Sequence, residues 1–70
     1  MNIILYTTYC PKCKVLESKL NSKGLKYTIV DNEEEVISFG EKCGIMSAPI
    51  LDYNGDILDF TQAIKKINNI

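Results

Sequence analysis

Short apolar runs and apolar residues at helical spacing alternate along this chain. The β-branched and aromatic run from Asn2 to Tyr6 predicts a buried strand. Thr7-Thr8-Tyr9 reads as a loop. Cys10 then takes the cap position of a helix, and Pro11 suits its first turn, where a missing N–H costs nothing. Cys13, Val15, Leu16 and Leu20 are expected on the inner face of that helix, with Lys14, Glu17, Lys19 and Lys23 toward water and Gly24 as the stop. Lys26 to Val30 predicts a second strand. One helix between two strands makes a βαβ unit, which implies parallel pairing and a right-handed crossover.

The remaining chain continues the pattern. Asp31 or Asn32 caps a second helix, with Glu33, Glu34 and Glu35 where the helix dipole favours acids. Val36, Ile37 and Phe39 form its apolar side, Gly40 weakens it, and Gly44 ends it next to Cys43. Ile45-Met46-Ser47-Ala48-Pro49 connects to a third strand, Ile50 to Tyr53. Asn54-Gly55 is a type I′ hairpin signal leading into a fourth strand, Asp56 to Leu58. Asp59 or Thr61 caps a last helix that turns Ala63, Ile64 and Ile67 inward. The order β-α-β-α-β-β-α predicts an α/β fold, a four-stranded mixed sheet with three helices on its two faces.

Seventy residues hold a single small domain, 1–70, and 46% hydrophobic residues supply a thin core. A net charge of −1 with no basic run gives nucleic acid or an anionic membrane nothing to bind. The N-terminal apolar run is too short for a leader or a membrane span, which points to the cytoplasm. There a Cys-x-x-Cys means catalysis or metal more often than a structural staple.

That motif is Cys10-Pro11-Lys12-Cys13. At a helix start, unpaired N–H groups and the dipole favour an anion, and the thiolate is the nucleophile of disulfide exchange. Cys10, first in the helix, is read as the attacking thiolate. Cys13, one turn deeper, is the resolving thiol. Lys12 and Lys14 add positive potential that favours the Cys10 thiolate. Tyr9 is expected to line the substrate groove beside Cys10. Three cysteines and no histidine fall short of the four ligands of a tetrahedral metal site, so no metal site is assigned. Cys43 reads as a small buried hydrophobe at a helix end, with a third redox thiol as the alternative.

Tyr9-Cys10-Pro11-Lys12-Cys13 after the first strand, Ser47-Ala48-Pro49 before the third and Asn54-Gly55 in the hairpin together resemble a small glutaredoxin of the thioredoxin-like fold, over nearly the whole chain. The resemblance implies a cis proline at Pro49 opposite the thiols. It also implies an Ala48 backbone that hydrogen-bonds an extended thiol substrate, and substrate contacts spread over Tyr9, Pro11, Lys12, Ser47, Ala48 and Pro49. Glutathione-using glutaredoxins carry a Gly-Gly pair after the fourth strand, where the tripeptide carboxylate is cradled. Here Asp59 and Phe60 stand in that region, adding a negative charge and bulk. The chain is also similar to the glutaredoxin-like hydrogen donors of ribonucleotide reductase, which thioredoxin reductase reduces.

The expected activity is therefore that of a monomeric, cytoplasmic dithiol-disulfide oxidoreductase with no tightly bound cofactor. Cys10 attacks a protein or small-molecule disulfide, ribonucleotide reductase being one such target, and Cys13 resolves the mixed disulfide. Thioredoxin reductase is the expected reductant, with glutathione as the alternative. A thiolate metal or iron–sulfur module is the competing reading from another class.

Overall fold

The structure is a computed structural model that describes residues 2–45 and 47–70. Its elements are β1 (Ile3–Tyr6), α1 (Pro11–Ser22), β2 (Thr28–Val30), α2 (Glu33–Cys43), β3 (Ile50–Tyr53), β4 (Asp56–Leu58) and α3 (Phe60–Asn68). The sheet order is β2-β1-β3-β4. β1 runs parallel to β2, pairing Ile4 with Thr28 and Tyr6 with Val30. It runs antiparallel to β3, pairing Ile3 with Tyr53 and Tyr6 with Ile50, and β3 is antiparallel to β4. The expected α/β architecture, a four-stranded mixed sheet with three helices, is the one observed.

Alternation along β1 assigns the faces, because successive side chains leave a strand on opposite sides. Ile3 and Leu5 point into a cluster with Leu16 and Leu20 of α1, Leu51 of β3, and Ala63 and Ile67 of α3. Each large aliphatic side chain buried there is worth roughly 1.5–3 kcal/mol. Tyr6 points the other way and stacks on Phe39 of α2, with ring centroids 3.9 Å apart. Thus α1 and α3, which pack on each other, cover one face, and α2 covers the other.

The helix ends follow their caps. The Asn32 side chain accepts the Glu35 N–H at 3.1 Å, so Asn32 rather than Asp31 caps α2. Asp59 rather than Thr61 caps α3, in a reciprocal box: its carboxylate accepts the Gln62 N–H at 2.8 Å, and the Gln62 side chain accepts the Asp59 N–H. Asn54 and Gly55 both have positive φ, 54° and 100°, as the type I′ turn requires.

Several expectations are corrected. β1 begins at Ile3 and β2 at Thr28, because only the residues that pair with each other or with β3 form ladders. Val15 is exposed: the buried stripe of α1 runs Cys13, Leu16, Leu20, and Val15 sits about 100° round the helix from Leu16. Ile37 is 53% exposed for the same reason, one residue past the buried Val36. Glu17 and Lys19 are half-buried rather than fully in water, whereas Lys14 and Lys23 are exposed. Cys43 is half-buried at the end of α2, with a free thiol. No helix among the described residues is long and apolar enough to cross a membrane.

Candidate active site

β1 ends beside the start of α1, and the loop between them carries the chemistry. Thr7 continues the inward row Ile3, Leu5, Thr7 and is fully buried. Its N–H donates to the Val30 carbonyl at 3.0 Å, which extends the β1–β2 pairing by one bond. Its hydroxyl oxygen accepts the Tyr9 N–H at 3.0 Å. That bond closes a turn in which Tyr9 takes a left-handed backbone, φ 58°, and brings Cys10 to the cap of α1.

Cys10 is half-buried and Cys13 is wholly enclosed, and both thiols are free. The two sulfurs lie 2.8 Å apart. The Cys10 sulfur accepts the Cys13 N–H at 3.3 Å and lies 3.8 Å from the Ala48 carbonyl oxygen. Burial pushes the Cys13 thiol up, but hydrogen bonds outweigh it and hold the thiol below its ordinary value. They come from the Cys10 side chain, the Thr7 hydroxyl and the Thr8 and Cys10 backbone. Since the sulfurs share a hydrogen bond, the proton belongs to the pair rather than to one cysteine. Access, not charge alone, then separates their roles: only Cys10 is open to an incoming disulfide.

The residues expected around the thiols divide into two groups. Ser47 is exposed, Ala48 half-buried and Pro49 buried, and the Ala48–Pro49 peptide is cis. Met46, in the same connection, lies outside the described residues. Ala48 and Ser47 form one wall of a cleft of about 190 Å³ whose other wall is α2. Gly40 makes this closeness possible: its N-terminal neighbours continue the helix, but a Cβ at Gly40 would collide with the Ile45 carbonyl oxygen. The glycine expected to weaken α2 thus also seats the connection against it.

Tyr9 is on the other side of the thiols. It is 48% exposed, and its hydroxyl donates to Asp31 Oδ2 at 2.8 Å. That bond to a carboxylate holds the phenol above its usual value. Tyr9 lines a small hollow with Thr8, Asp31 and Glu33, not the cleft beside Ala48. Pro11 is exposed at the first position of α1. Lys12 is exposed too, but its ammonium lies 5.7 Å from the Phe60 ring centroid, a cation–π contact with α3. A larger open hollow at the far end of the sheet, between Ile4, Tyr27, Asp52 and Gly55, holds no nucleophile.

Thr7 is the residue that sequence reasoning passed over as a loop position. The signal was present: two residues after Leu5 on an alternating strand, a threonine just before a Cys-x-x-Cys must point at the helix that carries it. The chain matches no protein-family model and no curated protein.

Proposed function

We propose that this chain is a dithiol-disulfide oxidoreductase of the glutaredoxin-like type, on a thioredoxin-like fold, acting as an electron carrier to protein disulfides. The observation that carries this reading is the pair of free thiols 2.8 Å apart at the cap of α1, one reachable and one enclosed. The Cys10 thiolate attacks one sulfur of a target disulfide. A Cys10–target bond forms, the target S–S bond breaks, and the displaced sulfur leaves as a thiolate. The Cys13 thiolate then attacks Cys10 Sγ, releasing the second target sulfur. Two electrons have passed to the target, and Cys10 and Cys13 are joined. An external dithiol or selenothiol reductase, or glutathione, returns the pair to thiols.

The start of α3 favours thioredoxin reductase over glutathione. A helix N-terminus attracts a carboxylate through free N–H groups. In α3 the Asp59 carboxylate already accepts the Gln62 N–H, and Phe60 fills the adjoining space next to Lys12. An incoming tripeptide carboxylate meets a like charge there. A cytoplasmic setting and a target of the ribonucleotide reductase kind belong to the same proposal.

The test follows NADPH consumption with the oxidised protein under two reducing systems, thioredoxin reductase and glutathione with glutathione reductase. Fast turnover with the first is expected. Turnover with glutathione alone overturns the reading of Asp59 and Phe60. Cys10→Ser is expected to abolish disulfide reduction under either system, and Cys13→Ser to stop turnover at the mixed disulfide, trapping it for mass spectrometry. Retained turnover in Cys10→Ser sinks the redox reading.

A further inference from the structure

The cleft between α2 and the Ile45–Ala48 connection has a composition that the redox step leaves unused. Its apolar lining is Val36, Ile37, Ile45 and Ile50, and its polar rim includes Glu33 and Glu41. Ile37 is more than half exposed, an apolar side chain left in water at the lip of the cleft. Glu33, Ile37 and Glu41 recur every four residues, so they share one face of α2. Glu33 also borders the neighbouring hollow, together with Asp31 and Tyr9. Neither lining includes a lysine. Ala48 closes the end of the cleft, with its carbonyl 3.8 Å from the Cys10 sulfur.

An occupant that reaches Cys10 through this cleft therefore passes an apolar lining between carboxylates. Eight residues of α-helix rise about 12 Å, the span of roughly three to four residues of extended chain. We propose that the cleft selects an extended peptide segment of the disulfide-bearing partner, with an apolar side chain and a lysine or arginine close to its reactive cysteine. The apolar side chain packs on Val36, Ile37 and Ile45. The cation meets Glu33 or Glu41. An acidic segment is turned away by the same two carboxylates. The inference rests on the proposed redox role for its setting and adds the class of partner: basic rather than acidic protein disulfides.

Three disulfide peptides of one length test it, with lysine, glutamine or glutamate flanking the cysteine. For the unaltered protein, kcat/KM is expected to fall in that order, by about tenfold from first to last at low ionic strength, the size two rim ion pairs supply, and to converge in high salt. The double change Glu33→Lys and Glu41→Lys is expected to reverse the order. Glu33→Gln with Glu41→Gln, which spares the fold a charge reversal near a helix start, is expected to flatten it. Equal rates for all three peptides, or an order that both double variants retain, overturn the proposal.

A binding arm separates this inference from the redox reading. A lysine-flanked peptide with serine in place of cysteine is titrated into the reduced protein and followed by amide NMR shifts, alongside reduction of the small neutral disulfide of 2-mercaptoethanol. Shifts clustered at Glu33, Ile37, Glu41 and Ile45 support the cleft even where no disulfide is reduced, an outcome that sinks the redox reading alone. Reduction of the small disulfide with no peptide shifts at millimolar concentration sinks the cleft alone.

Discussion

The two faces of the sheet are built differently. Beneath α1 and α3, Leu5, Leu16, Leu20, Leu51, Ala63 and Ile67 have no exposed surface. Beneath α2, the buried helix residues are Val36 and Gly40, the Tyr6–Phe39 stack is half-buried, and Ile37 stands in solvent. The first face is closed by interlocking aliphatic side chains. The second leaves a cleft that leads to the reactive sulfur. In a chain this small the apolar surface that holds the fold is scarce, so concentrating it on one side frees the other for recognition. The thiols sit at the seam: Cys13 belongs to the closed face, while Cys10 opens toward Ala48.

The sharpest way to break this contrast is to remove a large side chain from the closed face. Leu16→Ala is expected to cost about 2–5 kcal/mol, a large share of the stability of a domain this size. Urea unfolding followed by circular dichroism measures it. A loss below about 1 kcal/mol would mean that the two faces share the load evenly.

Gly40→Ala probes the open face. Alanine favours the helix by up to about 1 kcal/mol, but its methyl group meets the Ile45 carbonyl oxygen, and such overpacking costs about 1–3 kcal/mol. The expected outcome is a net loss of about 1 kcal/mol, seen as a fall in Tm of roughly 4–8 °C. The connection moves away from α2, and KM for a peptide disulfide rises several-fold. A KM that stays put would show that the cleft is not on the path of the substrate.

Thr7→Val tests the seam with the smallest change in shape. It removes the hydroxyl that accepts the Tyr9 N–H and donates toward Cys13, at about 1 kcal/mol. Cys13 is depressed in the folded state, so reduced protein gains stability as pH rises through that lowered value, and the gain is complete above the ordinary thiol value of 9.0. It is lost as pH falls through the folded value. In Thr7→Val the gain is expected to shrink, and the midpoint of thiolate ultraviolet absorbance to move upward. Thr7→Ser, which keeps the hydroxyl, is expected to restore most of the shift. A midpoint unmoved by Thr7→Val would make Thr7 a packing residue only.

Much of this architecture could be read from the chain itself. Pro11 after Cys10, Asn54-Gly55 and the acidic run after Asn32 are local signals with local causes, and each marks an element boundary observed in the structure. Val15 and Ile37 were misplaced because a hydrophobic residue adjacent to a buried stripe looks the same in sequence as one within it. Only the angle between neighbouring helices decides. Gly40 was legible as a weak helix former but not as a contact, since the Ile45 carbonyl it admits arrives through the turn after the helix. At the site, the two thiols were legible from their spacing. The detachment of Lys12 toward Phe60 and the tie between Tyr9 and Asp31 were not, because both join residues far apart in sequence.

The spacing of the two sulfurs has a further consequence. At 2.8 Å they need to close by less than an ångström to reach the length of a covalent bond, about 2.05 Å. Oxidised and reduced forms of such a carrier are nearly the same solid. A partner that must bind one and release the other has almost no change of outline to read. What differs is the negative charge at the cap of α1, present on the thiol pair and gone from the closed bond. For this molecule, being loaded or spent is a matter of electrostatics rather than of form.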